Sequence, residues 1–298
     1  MYFGRDYVMK TSLMTLNMMG AGFRRFQINH DKEEFEDLYE EVLDLAVSTG
    51  YSAVDISSAE VGFLGKEYIL EQFQKRGLCA GSYILFDQFA GPDETVSYVT
   101  ERGFKAVEAA KEFGTDVIML VPLAFPGIEK VSPEEIRRTI ACHMEPVALF
   151  AGQHGLHAVV EDTPDLRVHL DTAAELQDLF SMAPDMELVY DSGNMLLVHE
   201  DPVAYYEKFI ERTSHVHLKD MRKAVKNDMV YDTGIDGERL TAAATGTGLV
   251  DLRAVLKSLR VHGYDGVITV EFAMDDSGDY KAALIRSREY LEKAWSES

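Results

Sequence analysis

The sequence predicts an α/β fold, a single (β/α)8 barrel in which one closed parallel sheet is wrapped by helices. Short apolar segments alternate with longer amphipathic ones from end to end, the pattern of repeated βα units. Eight of the short segments have strand length. The chain of 298 residues accommodates one such barrel, a fold that runs to about 250 residues and more as one unit. No linker or low-complexity run divides the chain, so residues 1–298 read as one domain.

The elements follow in order. LMTLNM (13–18) opens the barrel and leads to a helix over 32–49, started by Asp31 and its acidic first turn and stopped by Gly50. SAVDIS (52–57) precedes a helix over 62–77, and AGSYILF (80–86) one over 93–113, ended by Gly114. VIMLVP (117–122) precedes a helix over 132–154 opened by Ser132-Pro133-Glu134-Glu135, where proline suits the first turn. HAVVED (157–162) leads to 170–182, and ELVYDS (187–192) to 201–212, opened by Asp201-Pro202. HVHLKD (215–220) leads to 250–262, ended by Gly263, and GVITVEF (266–272) to 278–295. The three glycines stand where a left-handed helix terminator is expected. Residues 221–249 form one long irregular stretch on the expected catalytic side, a candidate substrate lid.

Composition narrows the function. With 51 acidic and 29 basic residues the net charge is −22, a field that repels phosphate backbones and anionic membranes. Nucleic acid and membrane partners are not expected. No segment approaches the roughly 18 consecutive apolar residues of a spanning helix, and the N-terminus lacks the apolar run of a signal peptide. Two cysteines, Cys79 and Cys142, have no CxxC spacing and suit a reducing compartment. The expectation is a cytoplasmic enzyme.

Four side chains each close an apolar run: Glu161 after HAVV, Asp191 after ELVY, His217 after SHV and Glu271 after GVITV. Strand side chains alternate, so Val159 and Glu161, Val189 and Asp191, His215 and His217, and Thr269 and Glu271 share directions. Inward-pointing strand ends stand at the catalytic mouth of such a barrel. Three carboxylates there repel one another unless a cation neutralises them. The quartet therefore reads as a divalent-metal site whose donors suit Mn²⁺, Mg²⁺ or Co²⁺, with Zn²⁺ admissible. His215, one layer deeper, reads as a hydrogen-bonded barrel histidine. Asp55, His199 and Glu200 read as ordinary polar groups, Asp162 is kept in view, and Glu60 is unassigned. Met14, Met18 and Met19 read as apolar filling.

The segments VVEDTPD, VYDSGNM, HVHLKDM, GTGLVD and DGVITVEF, in this order, give the chain its resemblance to the xylose isomerase-like TIM-barrel superfamily of sugar isomerases, epimerases and inosose dehydratases. The resemblance implies metal ligation by Glu161, Asp191, His217 and Glu271. Glu161 and Glu271 are expected to double as the acid/base pair, with Asn194, Lys219 and Arg222 meeting the substrate. Two departures stand out. Ketose 3-epimerases of the superfamily often carry a histidine where this chain has Asn194, and Arg167 occupies the place of a second glutamate after Glu161. The expected activity is a metal-dependent isomerisation or epimerisation of an unphosphorylated sugar or cyclitol by proton transfer next to a carbonyl, through an enediolate. An inosose dehydratase-like elimination of water is the alternative, and a non-catalytic binding barrel the reading from another class. Relatives are commonly dimers or tetramers, which admits a homo-oligomer.

Overall fold

In the computed structural model, which describes residues 9–16, 32–92, 96–226, 228, 230–271 and 280–298, the chain forms β1 (Lys10–Met14), β2 (Ala53–Ser57), β3 (Cys79–Asp87), β4 (Val117–Pro122), β5 (His157–Glu161), β6 (Glu187–Asp191) and β7 (Thr213–Leu218). An excursion of three short strands follows, β8 (Asp220–Lys223), β9 (Asp232–Thr233) and β10 (Arg239–Ala243), before β11 (Val267–Val270). Strands β1 to β7 and β11 close into a parallel barrel, sealed where β11 pairs with β1. Helices cover its outer face.

Alternation divides each strand between two environments. Outward residues such as Val54, Leu120, Val160, Leu188 and Ile268 join the helices in one large apolar shell. Inside, Met14, Ile84, Val117, Met119, Val159 and Val189 form a separate small cluster. Val159 and Val189 thus fill the interior two positions before Glu161 and Asp191, which places those carboxylates at the mouth. Met14 is filling, as expected; Met18 and Met19 lie outside the described residues.

The punctuation works as the residues suggest. Ser132 Oγ accepts from the Glu135 amide at 3.2 Å with Pro133 at the helix start, and Asp201 caps helix Pro202–Lys208 through the Ala204 amide at 2.8 Å. Gly50, Gly114 and Gly263 all have positive φ. Asp31 lies outside the described residues.

Three departures from expectation have a visible physical cause. The first strand begins at Lys10, three residues before its apolar run, because Thr11 and Ser12 are buried by hydrogen bonds: Arg288 Nη1 donates to Thr11 at 3.0 Å and Ser12 Oγ donates to Asp55 at 2.5 Å. The second helix starts at Ser58, four residues early, under a capping box between Ser57 and Glu60, and breaks at Gly65 (φ 95°) into Ser58–Leu64 and Lys66–Arg76. Glu60 is thereby structural. Residues 221–249, expected as irregular, contain most of an antiparallel sheet in the order β8-β10-β9. Its strands are too short to show an alternating pattern; Leu197, Met221 and Leu240 fix it through a local apolar cluster.

Candidate metal centre

The four strand-end residues meet. Glu161 and Asp191 are the last residues of β5 and β6, His217 is the penultimate residue of β7, and Glu271 follows β11, its amide donating to Leu218 O at 3.2 Å. The parallel register sets Asp191 beside His217 and His217 beside Thr269. One ligand atom from each of Glu161, Asp191, His217 and Glu271 lies within 4.8 Å of all the others. His217 Nδ1 faces Glu161 Oε1 at 2.5 Å and Glu271 Oε2 at 3.6 Å.

Two basic side chains, Lys219 and His217, stand among the carboxylates of this pocket. Lys219 Nζ lies 2.9 Å from Glu271 Oε1 and donates to Asn194 Oδ1 at 3.0 Å. Burial opposes the charge on Lys219, yet Glu271, Asp191 and Glu161 hold its ammonium well above its ordinary value. Burial likewise opposes charge on His217, but Glu161 together with Asp55 and Glu271 raises its imidazole well above the ordinary value. Burial works against ionisation of Glu271, but Lys219 and His217 hold that carboxyl well below the usual range. Asp191 goes the other way: burial pushes it well above the carboxylate range, and Glu271 and Glu161 add to this against the pull of Lys219.

The residues present fit a divalent cation. Asp191 is fully buried; its Oδ1 accepts from the amides of Gly193 and Asn194 at 2.6 and 2.8 Å, while Oδ2 has no hydrogen-bond partner. A carboxylate held by one oxygen with the other left over, beside two more carboxylates and an imidazole nitrogen, has the donors of a hard to borderline metal. A dication there would replace the protons that otherwise limit the repulsion.

The expected substrate residues have distinct surroundings. Asn194 is buried at the start of the 3₁₀ turn Asn194–Val198; besides accepting from Lys219 it donates to Asp162 O at 2.9 Å. Lys219 is buried, because β7 ends at Leu218 and the chain turns into β8. Its ion pair is with Glu271, while the adjacent Asp220 accepts four backbone amides. Arg222, on β8, makes a two-pronged pair with Asp228 at 2.8 Å in both prongs.

Asp55 is the residue that strand-end reasoning missed. It is fully buried and accepts from Ser12 Oγ at 2.5 Å, Ser82 Oγ at 2.6 Å, His215 Nε2 at 2.8 Å and Thr269 Oγ1 at 2.9 Å. Burial opposes its ionisation, but His215 and His217 hold it well below the usual range. His215 is thus the hydrogen-bonded barrel histidine expected. Asp162 is also fully buried, with neither carboxyl oxygen partnered among the described residues, and burial followed by Asp191 and Glu161 pushes its carboxyl well above the usual range. His199 pairs with Asp236 at 3.2 Å and Glu200 accepts from the Ala173 amide, both structural contacts.

Comparison with known proteins matches residues 43–294 to the family model of the xylose isomerase-like TIM barrel. An inosose dehydratase of Lacticaseibacillus casei is 29% identical over 132 residues, covering 41% of this chain and 43% of that protein. The alignment therefore spans less than half the length of that curated relative. A solved L-ribulose 3-epimerase superposes with a TM-score of 0.71 at 13% identity, covering 97% of this chain and 95% of that one. The IOLI protein, crystallised with a bound zinc atom, gives 0.70 at 16% identity, covering 97% and 99%. At such identities the structural likeness is one of fold.

Proposed function

The chain belongs to the xylose isomerase-like TIM-barrel family, and from that premise we propose that it is a divalent-metal-dependent isomerase or epimerase acting on a sugar or cyclitol. The observation that carries the reading is the convergence of Glu161, Asp191, His217 and Glu271 within 4.8 Å. When bound, the cation supplies Lewis acidity for a substrate carbonyl; Mn²⁺, Mg²⁺, Co²⁺ and Zn²⁺ all suit the donors.

Moving a proton next to a carbonyl needs a base, an acid and a fixed substrate. Glu271, kept ionised by Lys219 and His217, takes the proton from the carbon beside the carbonyl and leaves an enediolate. Glu161, reaching in from β5 and facing the same His217 Nδ1 as Glu271, returns a proton to the opposite face or to the neighbouring carbon. The first outcome is epimerisation; the second, with the hydroxyl proton passing to the former carbonyl oxygen, is isomerisation. Asp191 and His217 hold the cation, and Asn194 and Lys219 offer a carboxamide and an ammonium to substrate hydroxyls. Arg222 meets substrate when its pair with Asp228 opens. In the same reading the enzyme works in the cytoplasm, where the unpaired Cys79 and Cys142 stay reduced.

The test is Glu271→Gln with substrate turnover and solvent deuterium followed together. Turnover should fall by at least about 100-fold, the lower range for a general acid or base, with substrate binding retained, and the wild type should place deuterium on the reacting carbon. Full activity of the variant, or turnover without solvent exchange, overturns the assignment. Chelation should abolish activity and Mn²⁺ or Co²⁺ restore it. A barrel that binds no divalent ion and turns over no polyol or ketose is the non-catalytic reading.

A second reading, β-elimination of water from a cyclic polyol ketone, begins with the same proton abstraction. It is favoured by Asn194, which holds Lys219 where ketose 3-epimerases often carry histidine, and by the likeness to an inosose dehydratase. Product mass separates the two, since elimination loses water and epimerisation does not.

A further inference from the structure

We propose that Asp55 is a positioning residue for the metal centre, holding His217 with its proton on Nε2 so that Nδ1 is left to the cation. The proposal rests on the metal-site reading above and extends it to a residue outside the quartet. Asp55 sits in the middle of β2, across the barrel interior from β7, and its carboxylate gathers donors from four other strands: Ser12 of β1, Ser82 of β3, His215 of β7 and Thr269 of β11.

The surroundings are shaped around this carboxylate. A Cβ on residue 81 would lie 2.4 Å from Asp55 Oδ1 and 2.5 Å from Ser12 Oγ, so Gly81 leaves the space in which Asp55 and its first donor meet. A buried anion is costly compared with an apolar side chain of similar volume. An anion set at such a cost and held by four buried donors calls for a task other than stability.

That task is visible at His217. The two ring nitrogens face different carboxylates: Nδ1 faces Glu161 and Glu271, and Nε2 faces Asp55 Oδ2 at 3.4 Å and has no hydrogen-bond partner among the described residues. Asp55 is held by four other donors and cannot turn away. A proton on Nε2 meets a fixed negative charge, whereas a lone pair on Nε2 would confront it. The opposite tautomer would also aim an N–H at the cation. Metal-bound histidines characteristically give their other N–H to such an acceptor, which fixes the ring and raises its basicity.

The experiment uses the full chain labelled with ¹⁵N at histidine and loaded with Zn²⁺, a diamagnetic probe. Long-range proton–nitrogen correlation should show His217 protonated at Nε2 and metal-bound at Nδ1, and ligation through Nε2 overturns the proposal without any variant. In a chelator competition, Asp55→Asn should raise the zinc Kd by about 10- to 100-fold, whereas a Kd equal to the wild type's overturns it. If that variant does not fold, Ser82→Ala keeps the charge, removes one donor and should weaken zinc by a smaller factor; an unchanged Kd there counts against the proposal. A wild-type chain that binds no zinc sinks the metal reading and this proposal with it; zinc binding that ignores Asp55 sinks the proposal alone.

Discussion

The ammonium of Lys219 lies 2.9 Å from Glu271 Oε1 at the mouth of the barrel, the lysine buried and the carboxylate largely so. This pair lets Glu271 stay ionised without a metal. Removing one member of a buried pair is costly, about 3–5 kcal/mol, because the other charge is stranded. Lys219→Met should therefore lose stability of this order in metal-free protein. With saturating Mn²⁺ the loss should shrink, since the cation takes over the neutralisation. Urea unfolding in the presence of chelator and of Mn²⁺ checks this; equal losses in both would mean that Lys219 is not coupled to the quartet.

Asp191 offers a separate reading of the metal, because one of its oxygens is already committed to backbone amides and the other is not. A cation that binds only the folded chain stabilises it by about 2.7 kcal/mol at a hundred times its Kd. Each kcal/mol moves the melting temperature of a large domain by roughly 2–4 °C. Adding Mn²⁺, Co²⁺ or Zn²⁺ after chelation should accordingly raise the wild-type melting temperature by several degrees. Asp191→Asn keeps an acceptor for the Gly193 and Asn194 amides but turns an NH₂ toward the ions, so its melting temperature should not respond. A response equal to that of the wild type would remove Asp191 from the site.

The convergence of the quartet was legible because each of its members ends an apolar run, and β-alternation carries direction along a strand without knowledge of its neighbours. Asp55 was not, because its meaning lies in partners 43, 160 and 214 residues away, at Ser12, His215 and Thr269; within SAVDIS it is one polar residue in a strand. The burial of Lys219 was hidden for a related reason. Periodicity runs on through HVHLKD, and only the turn after Leu218 folds the lysine inward against Glu271. The first strand hid behind buried Thr11 and Ser12, whose hydrogen bonds substitute for apolar character.

Away from the metal centre, Asp171 should make stability depend on pH. It is buried, with Oδ1 unpartnered, and burial together with Glu175 and Asp165 pushes its carboxyl up to about 8. The unfolded chain releases this proton near the ordinary value of about 4, so between the two values the native state binds more protons. Stability contributed by this group is intact at acid pH and falls as pH rises from about 4 to about 8, by at most about 1.4 kcal/mol per unit. Asp171→Asn keeps the shape and removes the titration. The difference in unfolding free energy, variant minus wild type, should climb through that window; a flat difference would show that Asp171 is ionised in the fold.

Asp220 explains why HVHLKD and GTGLVD occur in the same chain. Its Oδ2 accepts from the amides of Gly246 and Gly248 at 3.0 and 2.8 Å, and its Oδ1 from those of Val250 and Met221 at 3.2 and 2.9 Å. The carboxylate thus clasps the turn that returns the chain from the small sheet to helix Leu252–Val261. Gly248 is required by this grip, since a Cβ there would fall 2.2 Å from Asp220 Oδ1 and 2.4 Å from Met221 O, a backbone atom that cannot step aside cheaply. Asp220→Ala strands several amides at about 1–3 kcal/mol for each that stays buried, so a loss of at least about 3 kcal/mol is expected. Gly248→Ala should approach it by expelling the same carboxylate. Both variants should expose residues 244–250 to limited proteolysis before the barrel unfolds. If Asp220→Ala unfolds at the wild-type denaturant midpoint and the turn stays protected, the clasp contributes nothing, and the pairing of the two motifs would need a cause other than this hydrogen-bonded turn.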